Sequence, residues 1–150
     1  MGSSWTQNYY HIVFSTKNRL ALIGAEHEPR LHAFIGGIVR DLGCTALEIN
    51  GMADHIHALV HYRSDVSHSD LARHIKSRST KWMHDTFSDA REFAWQEGYG
   101  GFTVSHSAIP AVRQYISHQK EHHKHTSFRE EFMQMLARAG IEAREEDVFA

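Results

Sequence analysis

The segment Thr45-Ala46-Leu47-Glu48-Ile49-Asn50-Gly51-Met52-Ala53-Asp54-His55-Ile56-His57-Ala58-Leu59-Val60-His61 decides the fold. Thr45 to Asn50 reads as a strand and Gly51-Met52-Ala53-Asp54 as a tight connection. His55 to His61 returns as the next strand, paired with the first in a hairpin. Side chains of a strand alternate between faces, so His55 and His57 share one face of the sheet. Ile56, Ala58 and Val60 point to the other face, where helices are expected to cover them. Two neutral imidazoles on rigid backbone at an open sheet surface suit a divalent-metal site. The alternative is a pair of exposed or hydrogen-bonded strand histidines.

Upstream, Tyr10-His11-Ile12-Val13-Phe14-Ser15 is rich in β-branched and aromatic residues and reads as a strand, followed by a polar turn at Lys17-Asn18-Arg19. Leu31, Phe34, Ile35, Ile38, Val39 and Leu42 recur at helical spacing, with Pro29 suited to the first turn and Gly43 to the C-terminal cap. Downstream, Ser67 or Ser69 can cap a helix running to about Phe87, with Leu71, Ile75, Trp82 and Met83 inward. Phe93-Ala94-Trp95-Gln96 and Phe102-Thr103-Val104-Ser105 read as strands. Ser107 can cap a third helix that tolerates Pro110 in its first turn and continues toward Lys124. A short helix from Phe128 to Ala139 ends at Gly140, and the last ten residues are expected to be poorly anchored. The order β-α-β-β-α-β(β)-α-α predicts an α+β, ferredoxin-like (RRM-like) antiparallel sheet with helices on one face and an added C-terminal helix bearing Tyr115. The chain is read as one domain over 1–150, its core about 5–125, with a short helix and acidic tail over 126–150.

At 150 residues the chain can bury a core without disulfides, and Cys44, the only cysteine, allows no intrachain bridge. A reducing cytoplasm is the natural home. No apolar run approaches the ~20 residues that span a bilayer, and no signal peptide is evident, so no membrane partner is expected. A net charge of −2 argues against a protein that coats nucleic acid without preference. The distribution is uneven. Arg63, Arg73, Lys76, Arg78 and Lys81 face only Asp65 and Asp70 within 63–81, which fits binding to a limited stretch of phosphate backbone. The alternative is a solvated helix face.

The 14 histidines make chance pairs common: a His-x-His spacing is expected roughly once, and His123-x-His125 is read as such an accident. Tyr115 and Gln119 stand at i and i+4, one face of the third helix, where a glutamine carbonyl could ligate a hard ion beside a tyrosine. Alone, Tyr115 beside Val112 and Ile116 would read as a half-buried core residue. Trp82, Trp95 and Tyr99 could stack on unpaired bases or pack in the core.

Together these residues resemble the single-tyrosine HUH transposases of bacterial insertion sequences, including the REP-associated tyrosine transposases. The likeness lies in residues 10–17, in Ile49-Asn50-Gly51-Met52-Ala53-Asp54-His55-Ile56-His57, and in Ile75-Lys76-Ser77 with Lys81-Trp82. It continues through Trp95-Gln96-Glu97-Gly98-Tyr99-Gly100 and Tyr115-Ile116-Ser117-His118-Gln119, covering roughly residues 5–135. The resemblance implies His55, His57 and Gln119 as metal ligands and Tyr115 as nucleophile; an oxygen-rich substrate and only two nitrogen donors make Mg²⁺ or Mn²⁺ the expected ion, with Zn²⁺ the alternative. It implies cleavage and rejoining of single-stranded DNA through a 5′-phosphotyrosine, with recognition of hairpin ends. It also implies a homodimer, in which the tyrosine helix of one subunit can complete the metal site of the other; some relatives act as monomers. Arg73, Lys76, Arg78 and Lys81 are the expected DNA contacts. His61 is an extra imidazole with no assigned role. The rival readings are a noncatalytic ferredoxin-like nucleic-acid-binding domain and a metal-dependent phosphoesterase without a covalent intermediate.

Overall fold

The computed structural model describes residues 2–150. Four strands, β1 (Asn8–Ser15), β2 (Thr45–Met52), β3 (His55–Tyr62) and β4 (Gly100–Val104), form one antiparallel sheet in the order β2-β3-β1-β4. Helices α1 (Glu28–Asp41) and α2 (His68–Thr86) fill the two crossovers, giving the expected ferredoxin-like order. Pro29 occupies the first turn of α1, and Gly43, at φ 76°, supplies the left-handed residue past its end. Ser67 caps α2 by accepting the Asp70 backbone N–H at 3.1 Å.

The alternation in β1 and β3 builds two cores. Ile12, Phe14, Ile56, Ala58 and Val60 face α1 and α2, packing with Leu31, Ile35, Ile38, Leu71, Ile75 and Met83. Each fully buried large aliphatic contributes about 1.5–3 kcal/mol. On the opposite face, Val13 packs with Phe128, Phe132 and Leu136 of α5 (Phe128–Arg138), a helix started by the Ser127–Glu130 capping box. The histidine-bearing face is therefore not the open surface expected from the sequence. α3 (Ile109–Ser117), α4 (Gln119–His122) and α5 cover it, and both His55 and His57 are fully buried.

Three further expectations need correction. Phe93-Ala94-Trp95-Gln96 is not a strand; it makes only a bridge between Trp95 and Thr16, because the β1 edge is already paired with β4 from Tyr9 to Val13. The third helix does not run unbroken toward Lys124. It stops at His118, where the Asn50 side-chain amide donates to the carbonyls of Ile116 (3.0 Å) and Ser117 (3.2 Å) that a continuous helix would use. The C-terminal residues are anchored. α6 (Glu145–Val148) carries Phe149 onto Phe128 and Phe132, the Arg19 and Arg129 guanidiniums sit over the Phe149 ring, and Arg129 pairs with Glu145 at 2.8 Å. Among the described residues no helix is long and apolar enough to cross a membrane.

The hairpin turn is tighter than expected: Gly51 and Met52 belong to β2, opposite Ile56 and His55. A Cβ on Gly51 would lie 2.1 Å from the His55 carbonyl oxygen and 2.9 Å from Ile56 Cα, both backbone atoms that cannot swing away. Gly51→Ala is therefore expected to destabilise the protein by at least the ~1–3 kcal/mol typical of overpacking and to displace His55. Chemical denaturation checks it; an unchanged midpoint would show that the hairpin has slack.

Candidate active site

Strand alternation places His11, His55 and His57 on the face under α3–α5. The three rings hang from adjacent strands: β1 Val13 lies opposite β3 His57, and His11 Nε2 reaches His57 Nδ1 at 2.7 Å. The other nitrogen of His57, Nε2, lies 2.9 Å from Glu131 Oε1. His55 is gripped on both sides, with Nδ1 2.7 Å from Asp54 Oδ1 and Nε2 2.9 Å from Gln119 Oε1. Phe128 stacks on the His55 ring at 4.5 Å between centroids.

Gln119 opens α4 and is fully buried, while Tyr115 is half-buried one helix earlier. Both reach the same carboxylate. The Gln119 amide donates to Glu131 Oε2 at 2.9 Å, and the Tyr115 hydroxyl donates to that same oxygen. Thus the structure brings together four of the residues singled out from sequence, His55, His57, Tyr115 and Gln119, around a fifth that was not. The i, i+4 argument for Tyr115 and Gln119 needed a continuous helix; the break at His118 instead turns each toward Glu131 from a separate element.

His123 joins them, so the reading of His123-x-His125 as an accident is wrong for its first member. Its Nε2 lies 2.9 Å from Gln119 Oε1 and 3.0 Å from Glu131 Oε1, and its Nδ1 lies 2.6 Å from the Thr126 carbonyl. His11, Asp54, His123 and Glu131 were all missed as site residues. Two of these offered a signal: His11, alternating with Val13 on a strand expected beside the histidine strand, and Asp54, immediately next to His55.

The arrangement shifts protonation in opposite directions. Burial, then the nearby His57, holds His11 down to about 3; burial also lowers His57 to about 4, against the raising effect of Glu131. Burial would raise the Glu131 carboxyl, yet hydrogen bonds from His123 and His57 and the His57 charge outweigh it and hold it well below the carboxylate range. Burial and the adjacent Glu131 push the Tyr115 phenol above its ordinary value, and Glu131 outweighs burial to raise His123. At neutral pH the site therefore holds an ionised carboxylate and a protonated phenol.

A stability prediction follows from the sign. His11 and His57 bind protons in the unfolded chain near 6.5 but in the folded chain only near 3 and 4. Between those limits the unfolded state holds more protons, so the metal-free protein should lose stability as pH falls from about 6.5 toward 4. His123, raised, acts the other way with a single ring. Thermal melts across that range check it; a melting temperature that rises on acidification would contradict the two-histidine account.

The donor set fits a divalent cation. A neutral imidazole has one N–H. If His55 gives it to Asp54, its Nε2 lone pair faces the Gln119 carbonyl oxygen at 2.9 Å, a gap that a cation between them would bridge. The carboxylate–histidine pairing of Asp54 with His55 is the arrangement that orients metal-ligating imidazoles.

Arg73, Lys76, Arg78 and Lys81 are not brought to this cluster. They lie on α2, across the sheet, where Arg73 pairs with Asp70 at 3.4 Å, Arg78 with Asp41 at 2.8 Å, and Lys81 with Asp85. Lys76 turns inward, donating to the carbonyls of Gln96 and Gly98, and burial lowers its ammonium to about 8.

The antiparallel ferredoxin-like sheet thus gathers buried imidazoles, an amide, a carboxylate and a tyrosine hydroxyl on a single face. The family described as "Transposase IS200 like" matches residues 4–119, and the chain belongs to it. It is 32% identical over 126 residues, 77% of this chain and 78% of the relative, to the transposase for insertion sequence element IS200 of Salmonella typhimurium. The Salmonella typhi transposase of the same name matches equally. Among solved structures, a putative transposase from Deinococcus radiodurans shares the fold with a TM-score of 0.63 at 22% identity, covering 79% of this chain and 96% of that one. A REP-associated tyrosine transposase bound to a REP hairpin shares it with a TM-score of 0.61 at 15% identity, covering 82% and 73%.

Proposed function

We propose that this transposase cleaves and rejoins single-stranded DNA by transesterification through Tyr115, at a divalent ion held by His55, His57 and Gln119. The observation that carries this reading is the Glu131 carboxylate shared by His57 and the Tyr115 hydroxyl, which ties the nucleophile to the histidine pair. The ion supplies Lewis-acid polarisation of the scissile phosphate. The phenolic oxygen attacks phosphorus, the P–O3′ bond breaks, and the 3′ oxygen leaves as a hydroxyl. Glu131 Oε2 accepts the Tyr115 hydroxyl and orients the phenolic oxygen, and the phenol proton ends on the departing 3′ oxygen, so the step balances. The resulting 5′-phosphotyrosine keeps the ester energy, so a second 3′-hydroxyl can rejoin without ATP.

Hairpin DNA as the substrate is supported by the solved relative bound to a REP hairpin. Arg73, Arg78 and Lys81 lie exposed on α2 and could exchange their acidic partners for phosphates. A cytoplasmic homodimer, paired through the sheet edges β2 or β4, belongs to the same proposal. Tyr115 and His57 meet within one chain, so mixing Tyr115→Phe with His57→Ala chains should restore no cleavage after subunit exchange. Recovery would mean that partners trade tyrosine helices.

The test is incubation with labelled single-stranded hairpin DNA and Mn²⁺ or Mg²⁺, followed by denaturing electrophoresis. A covalent protein–DNA adduct is expected. Cleavage without adduct would indicate a water-using phosphoesterase, and binding without cleavage a noncatalytic module.

A further inference from the structure

We infer that His123 and Glu131 are ion ligands beside His55 and His57, making a site of three imidazoles and a carboxylate that takes a first-row transition ion in preference to Mg²⁺. The inference rests on the reading that the histidine pair holds an ion, and it changes which ion and which residues. Both added residues lie beyond the part of the chain that matches the family, residues 4–119.

Three observations carry it. The first is convergence. One ligand atom each from His55, His57, His123 and Glu131 lies within 4.8 Å of all the others. The Nε2 atoms of these rings are 3.4, 2.9 and 3.0 Å from the single oxygen Glu131 Oε1. The other carboxylate oxygen is committed elsewhere, to Tyr115 and Gln119.

The second is a shortage of protons. His123 repeats the His55 pattern: its Nδ1 faces the Thr126 carbonyl, while its Nε2 faces both Gln119 Oε1 and Glu131 Oε1. A neutral His123 that donates to Thr126 turns a lone pair toward two oxygens that themselves offer lone pairs. In their neutral forms two separate rings thus point lone pairs into the same central space, which a proton or a metal cation can fill.

The third is the company of Glu131. It is 1% exposed, and among the described residues its ion-pair partners are all histidines: His55, His57, His122 and His123. A buried carboxylate without a lysine or arginine partner is costly to leave uncompensated. A divalent ion compensates that charge more strongly than hydrogen-bonding imidazoles do. Packing of α5 through Phe128, Phe132 and Leu136 holds the carboxylate in place before any ion arrives.

The ligand chemistry then selects the ion. Mg²⁺ prefers oxygen and water, whereas imidazole nitrogen favours first-row transition ions. Mn²⁺, Co²⁺ and Zn²⁺ fit three nitrogens with a carboxylate oxygen.

The experiment titrates Co²⁺ into the metal-free full chain, follows visible d–d absorption, and competes with Mg²⁺. One equivalent should bind and a large excess of Mg²⁺ should fail to displace it. His123→Gln and Glu131→Gln, checked for native circular dichroism, should each weaken Co²⁺ by about tenfold or more, the loss seen even for outer partners of ligands. Wild-type affinity in both variants, or ready displacement by Mg²⁺, would overturn the inference. Binding abolished in His57→Ala but unaltered in those two variants would overturn it while leaving the histidine-pair site standing. Binding that survives His57→Ala would overturn the underlying reading as well. Electron spin-echo modulation of the Cu²⁺-loaded wild type needs no variant: three coupled imidazoles are expected, and two would place His123 outside the site.

Discussion

Tyr115→Phe is expected to abolish the covalent DNA adduct while leaving DNA binding intact. The substitution removes one hydroxyl and keeps the ring, which packs beside His11, His57 and His122 at centroid distances of 6.3, 5.9 and 5.4 Å. Glu131 Oε2 still accepts from the Gln119 amide, so the carboxylate is not orphaned. Loss of a nucleophile that acts as a unit with its neighbours costs on the order of 10⁴- to 10⁶-fold in rate. Adduct yield on single-stranded hairpin DNA reads the chemical loss, and fluorescence anisotropy on the same DNA reads binding. An adduct that persists in the phenylalanine variant would move the nucleophile to another residue.

His57→Ala should be the most damaging single change, because it strikes chemistry and stability together. His57 is fully buried and lies between His11 and Glu131, at 2.7 and 2.9 Å. Its removal would take one imidazole from the proposed ion site and one hydrogen-bond donor from a buried carboxylate, a loss of about 1.5–3 kcal/mol. Cleavage should fall below detection, and the melting temperature should drop. Chelation separates the two effects: EDTA should stop cleavage by the wild type as completely, and added Mn²⁺ should restore it, which it cannot do for His57→Ala. Full cleavage in EDTA would remove the ion from the mechanism.

The hairpin, the helix faces and the histidine pair were legible because each rests on local periodicity. His55 and His57 share a face by strand alternation alone, and Ile56, Ala58 and Val60 enter the helical core for the same reason. The α1 stripe and the Ser67 cap are equally local. Phe93–Gln96 misled because its composition is that of a strand, while strand pairing needs a free neighbour and β4 already held that edge. The basic run on α2 shows a different limit of local reading. A charge count along the chain does not show that Arg78 reaches Asp41 or that Lys76 turns inward.

The sequence by itself determined the ferredoxin-like order, the face that carries His55 and His57, and the candidacy of Tyr115 and Gln119. Tertiary structure alone decided that Glu131 stands at the centre. In sequence it is one of two acids in the first turn of α5, where the helix dipole favours a negative charge whatever its other partners. Its contacts with His57 and His55 span more than seventy residues and exist only because Phe128, Phe132 and Leu136 dock α5 over Val13. Which way that helix is rotated follows from apolar packing against the sheet, a collective choice that no local pattern around Glu131 encodes. His123 became a site residue by the same route. Asn50 on β2 ends α3 at His118, and α4 then leaves in the direction that brings the imidazole to Gln119 and Glu131.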